Sequence, residues 1–89
     1  MSAELVHLRA EIERIDRVLV GLIQERVIAG RNTAAAKRAA GLPTLDPPQE
    51  AEVIRRAATL AREAGLPAED VRDVFWKLVA LTRAVELEG

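Results

Sequence analysis

The chain has 89 residues, 49% of them apolar and 30% charged, and its 13 Lys and Arg against 14 Asp and Glu leave a net charge of -1. This length supports one domain, 1–89, and the composition excludes a disulfide scaffold or thiolate metal site (no cysteine), a membrane span (no run of about 18 apolar residues) and a bulk attraction to nucleic acid. Met1-Ser2-Ala3-Glu4 lacks the basic-then-apolar pattern of a secretory signal, so the expected compartment is the cytoplasm.

The first predicted element runs from about Ala3 to Ala40. Leu5, Leu8, Ile12, Ile15, Leu19 and Leu22 recur at spacings of three and four, which is a helical seam. Gly41, suited to a left-handed cap, and Pro43 end it. Asp46 then reads as a helix N-cap, with Pro47 at the first helical position and Gln49 where a capping-box partner belongs. The second helix is expected over 47–64, with Ile54, Ala57, Ala61 and Ala64 on its apolar face, flanked by Val53 and Leu60. Gly65 closes it and Leu66-Pro67 turns the chain. Glu69 and Asp70 suit the first turn of a third helix, which carries Val71, Phe75, Leu78, Thr82 and Val85 on one stripe and ends near Leu87. No strand-like alternation or internal repeat is present.

These helices differ in length. The first would span roughly 55 Å and the others roughly 27–30 Å. Two short helices cannot cover the long seam, and Phe75 and Trp76 are the only aromatic residues available to enlarge the core. An Ala-rich chain of this size is marginal alone. The expected fold is therefore all-α, three helices per chain in an intertwined homodimer, because a second copy is the most economical cover for the seam.

Polar residues interrupt the apolar stripes at one end. Four residues beyond Leu22 comes Arg26, and Thr33 and Lys37 follow on the same face, with Gly30 expected to leave space between them. Arg26 to Lys37 is about 1100° of helical rotation, nearly whole turns. Two cations on a face that begins as core require anionic partners or an escape to water. On the second helix Glu50 heads the stripe of Ile54, Ala57 and Ala61; on the third, Thr82 and Glu86 share a stripe with Phe75 and Val79. Taken singly, these are ordinary features. A Thr on a core stripe bonds back to its own helix, a Glu near a C-terminus is solvated, and Asp46 is explained as a cap. Three helices that each place polar groups at a stripe's end make the pattern by which bundles build internal sites. Arg9 lies about 25 Å from Arg26 along the helix and can join such a site only from a second chain. No phosphate-binding loop, metal-ligand spacing or Ser-His arrangement occurs, and no cofactor is expected.

Leu8-Arg9 with Ile12, Ile15 and Asp16, then Arg26, Lys37, the run Asp46-Pro47-Pro48-Gln49-Glu50, and Thr82 with Glu86 resemble the all-helical (AroQ-type) chorismate mutases over nearly the whole chain. The resemblance implies an intertwined dimer that rearranges the dianion chorismate to prephenate. It implies that Arg26, and Arg9 lent by the other subunit, hold the two carboxylates. Lys37 and Glu86 would meet the ether oxygen, Glu50 and the backbone at Asp46 the ring hydroxyl, and Thr82 a carboxylate. Such a unimolecular rearrangement needs no nucleophile, metal or general base, only selection of a compact conformer and stabilisation of charge on the breaking ether oxygen. An ionised carboxylate cannot donate a hydrogen bond, so Glu86 would have to act protonated.

Two substrate-site positions depart from the family pattern. Gln49 stands where many members carry Arg, and Thr33 replaces an aliphatic wall residue; Gly30 and Arg31 are also unusual. Three alternatives follow: a mutase for 4-amino-4-deoxychorismate, whose ammonium Glu50 and Asp46 would favour; an isochorismate-pyruvate lyase; or a non-catalytic helical dimerisation module, for which Arg26 and Lys37 would be dispensable.

Overall fold

The computed structural model describes residues 2–88 and, within them, the side chains up to Glu86; Met1 and Gly89 of the expected domain lie outside the described residues. Three helices form: α1 (Ala3–Ala39), α2 (Pro47–Glu63) and α3 (Ala68–Glu88). The ends of α1 and α2 each fall one residue short of expectation.

Local chemistry explains the boundaries. Ser2 Oγ accepts from the Leu5 amide at 3.1 Å and opens α1. At its other end Gly41 takes φ 70°, the Leu42 amide donates to Lys37 O at 2.8 Å and the Gly41 amide to Arg38 O at 3.1 Å. The same paired closure recurs after α2, where Gly65 takes φ 72° and the Leu66 amide donates to Ala61 O at 2.8 Å. Left-handed backbone at both positions is what glycine permits without a Cβ penalty. Asp46 caps α2 through Oδ1, which accepts from the Gln49 amide at 3.3 Å.

The helix α3 lies between the other two and packs on both. It runs antiparallel to α2 across the short Gly65–Pro67 turn. It runs in the same direction as α1, since Arg26 meets Thr82 while Gly30, one turn on, approaches both Thr82 and Glu86. The buried residues are small: Ala34 on α1, Ile54, Ala57, Ala58 and Ala61 on α2, Val79 and Thr82 on α3. Alanine lets α2 and α3 approach closely, at the cost of little buried area per residue. Ala64 and Leu60 do not join this core as expected. They are exposed, because α2 turns its Ala57–Ala58–Ala61 side toward α3 and the chain departs at Gly65.

The described residues of the amino-terminal half of α1 are exposed up to Val20, and the chain measures 58 × 27 × 16 Å. Leu5, Leu8, Ile12, Ile15, Leu19 and Leu22 are each 40–59% exposed. The seam is therefore uncovered within one chain, as the helix lengths require. Among the described residues no helix is long and apolar enough to cross a membrane.

Candidate active site

The polar ends of the three stripes meet. A cavity of about 320 Å³ opens between the carboxy-terminal half of α1, the start of α2 and the last turns of α3. Arg26, Thr33 and Lys37 line it from α1, Asp46, Gln49 and Glu50 from the start of α2, and Thr82 and Glu86 from α3. Of the residues expected at a site, only Arg9 stays away, about 25 Å back along α1 by helical rise.

Arg26 is positioned by α3. Its Nη1 donates to Thr82 Oγ1 at 2.7 Å and, at 3.5 Å, to Leu78 O. Thr82 Oγ1 in turn donates to Leu78 O at 2.8 Å. The ordinary back-bonded threonine and the site threonine are thus one arrangement: the back-bond fixes the hydroxyl's hydrogen and leaves its lone pair for the guanidinium. The guanidinium keeps further N–H donors for an incoming carboxylate.

Gly30 does not leave an open gap between Arg26 and Lys37. The space is taken by α3, and a Cβ at residue 30 would overlap Thr82 Cγ2 and sit 3.0 Å from Glu86 Oε1. Thr82 has no free rotation to escape such a Cβ, because turning its methyl away moves Oγ1 off both Arg26 and Leu78 O.

Lys37 is held at the other end of the cavity. Its Nζ donates to Asp46 Oδ2 at 3.1 Å and to Thr44 O at 3.4 Å. The hydrogen bond from Lys37 and, second to it, the Gln49 amide hold the Asp46 carboxyl below its ordinary value of 3.8, against a smaller opposing effect of desolvation. Asp46 is therefore both a cap and the anchor that keeps an ammonium at the cavity wall. Thr33 borders the cavity, but its hydroxyl is spent on Ala29 O at 2.9 Å, so it offers the cavity no free hydrogen.

One charged residue was not anticipated. Arg83, on α3, also lines the cavity and grips Glu50 with two nitrogens: Nε donates to Oε2 at 3.2 Å and Nη2 to Oε1. A sequence signal for this pair exists. Glu50 lies 16 residues before Leu66 and Arg83 lies 16 after Pro67, so folding the chain at that turn sets them opposite each other. The cavity thus holds Arg26, Lys37 and Arg83 against Asp46, Glu50 and Glu86. Two of these acids already have cationic partners, so Arg26 is the strong donor set available to an anion.

Residues 8–87 match the family model for chorismate mutase type II. The chain is also similar to the T-protein of Enterobacter agglomerans, 29% identical over 79 residues that make up 89% of this chain and 21% of that protein. The chain thus spans about a fifth of that relative's length.

Proposed function

Since this chain belongs to the chorismate mutase type II family, a family of isomerases, we propose that its cavity binds chorismate and converts it to prephenate. The observation that carries this reading is the convergence of Arg26 and Lys37, from one face of α1, on a cavity closed by Thr82, Glu86 and Glu50. Arg26 takes one substrate carboxylate in the planar fork that guanidinium offers, with Thr82 beside it. Lys37 places a point charge at the ether oxygen, which gains negative charge as the C–O bond breaks and the new C–C bond forms. Fixed donors there need no reorganisation at the moment of reaction. Glu86, on the cavity wall, meets the same oxygen. Glu50 and the backbone at Asp46 take the ring hydroxyl, and Gln49 offers neutral hydrogen bonding at the same end.

Asp46 and Glu50 offset Lys37 and Arg83, which leaves the guanidinium of Arg26 as one positive charge for a dianion. A second comes with Arg9 of the other subunit, if two chains pair through the exposed seam of α1. The assembly proposed is therefore a homodimer with shared sites. Burying the remaining half of each seam Leu and Ile contributes roughly 1 kcal/mol per side chain.

Turnover of pure protein with chorismate, followed by identification of prephenate, tests the activity. Mixing tests the shared site: Arg9→Ala and Arg26→Ala are each expected to be inactive alone and to recover activity together, since the mixed dimer rebuilds one intact site. No recovery despite confirmed subunit exchange would refute the sharing. Glu86→Gln, which keeps a hydrogen-bonding side chain of the same shape, is expected to retain activity and Glu86→Ala to lose it; equal activity in the two would refute a role for Glu86.

A further inference from the structure

Within that reading, both acids available to meet the substrate's ring substituent are already paired with cations. Asp46 is bound by Lys37 at 3.1 Å, and Glu50 by Arg83 through both carboxylate oxygens. We propose that Arg83 is a specificity-determining residue: by neutralising Glu50 it makes this end of the cavity accept a hydroxyl on the substrate ring and reject an ammonium.

The chemistry of the pair separates two properties of Glu50 that a lone carboxylate would combine. Each carboxylate oxygen has two lone pairs, and Arg83 uses one on each, so Glu50 can still accept an O–H. Its attraction for a cation is another matter. A guanidinium gripping the carboxylate from α3 repels any ammonium brought to the remaining lone pairs, and so offsets much of the attraction the carboxylate exerts on it. Gln49, the neighbouring wall residue, adds no charge to tip the balance. Nor can the pair easily come apart to admit an ammonium. Glu50 stands near the start of α2 and Arg83 in the later turns of α3, two helices clamped together by the Ile54, Ala57 and Ala61 core, and the fork holds Glu50 in a fixed orientation. The pair is partly sheltered, with side-chain exposures of 43% for Arg83 and 21% for Glu50, so water screens it incompletely.

Arg83 acts here through Glu50 and not on the reacting atoms, so the test is a ratio of two substrates. Purified wild type, Arg83→Gln, Arg83→Lys and Glu50→Gln would each be given chorismate and its 4-amino analogue, and kcat/KM measured for both. Wild type is expected to favour chorismate. Arg83→Gln unmasks the carboxylate and should raise the amino-to-hydroxyl ratio about tenfold or more, the range of one charge-assisted hydrogen bond. Arg83→Lys should stay near wild type. Glu50→Gln, which leaves Arg83 unopposed, should lower the ratio further, so the two neutralising variants move in opposite directions. Equal losses for both substrates in Arg83→Gln would overturn the assignment, because a structural or carboxylate-binding arginine would produce that. A wild type that already prefers the amino analogue would overturn it too. Failure of wild type to convert either substrate would instead remove the proposed function itself, and this inference with it.

Discussion

The two halves of α1 follow one helical period into different environments. From Leu5 to Leu22 every stripe residue is Leu or Ile, and each remains about half exposed. From Arg26 to Lys37 the same stripe is polar, yet this half is the covered one, with Ala34 buried, Arg26 bonded to α3 and Lys37 bonded to the loop before α2. Hydrophobic patterning alone would place core and surface the other way round. The inversion has a physical reading. An exposed apolar stripe of this extent is unfavourable in water unless another surface covers it, whereas a buried cationic stripe is unfavourable unless anions approach it. On the proposed reading, a second chain covers the first half and an anionic ligand meets the second.

The sharpest way to separate the halves is at Lys37. Lys37→Ala is expected to lower kcat about 10²–10³-fold, the scale of one preorganised donor to a developing oxyanion, while the helix content by circular dichroism is retained. A loss of folding equal to the loss of activity would make Lys37 a structural residue and erase the contrast. In the other half, Ile12→Glu with Ile15→Glu should turn a dimer into monomers in sedimentation at micromolar concentration, with loss of activity, because each interface would bury uncompensated carboxylates at roughly 1–3 kcal/mol or more apiece. An unchanged sedimentation coefficient would mean that the seam is not the contact surface.

A smaller effect is expected at Gly30, where the covered half is tightest. Gly30→Ala improves helix propensity by about 1 kcal/mol, but its Cβ has no room beside Thr82, and overpacking costs about 1–3 kcal/mol. A net loss of stability and of kcat/KM is expected, and Thr82→Ser, which removes the interfering methyl and keeps the hydroxyl, should restore both. No recovery in the double variant would place the constraint elsewhere. The smallest effect concerns Asp46. Its carboxyl is held below the ordinary value of 3.8 in the folded chain, so its ionised form stabilises the fold above that pH, and the benefit is lost as pH falls through the depressed value. Asp46→Asn keeps a capping side chain without the charge. The stability difference between the two proteins in urea melts should be constant near neutral pH and vanish in acid; a difference independent of pH would assign the effect to geometry and not to charge.

Much of this molecule is legible in local spacing. The helix limits follow from Gly41, Asp46, Pro47 and Gly65, and the grouping of Arg26 with Lys37 needs only the helical repeat. Thr82 was more ambiguous, because a back-bonding threonine and a site threonine look alike in sequence, and here the same hydroxyl is both. The Glu50–Arg83 pair required the antiparallel register of α2 and α3, which a reading of one stripe at a time does not use. Gly30 resembled a vacancy on α1 because the group that fills it belongs to a helix about 50 residues away in the chain.

The sequence by itself determined what depends on neighbours a few residues apart: three helices, their caps, an apolar seam too long for its own chain, and a polar stripe continuing it. Only the tertiary structure decided which charges meet. Asp46 became the partner of Lys37, Glu50 that of Arg83, and Thr82 that of Arg26, because Coulomb and hydrogen-bond energies depend on distances of a few ångströms that are set by how helices pack and turn.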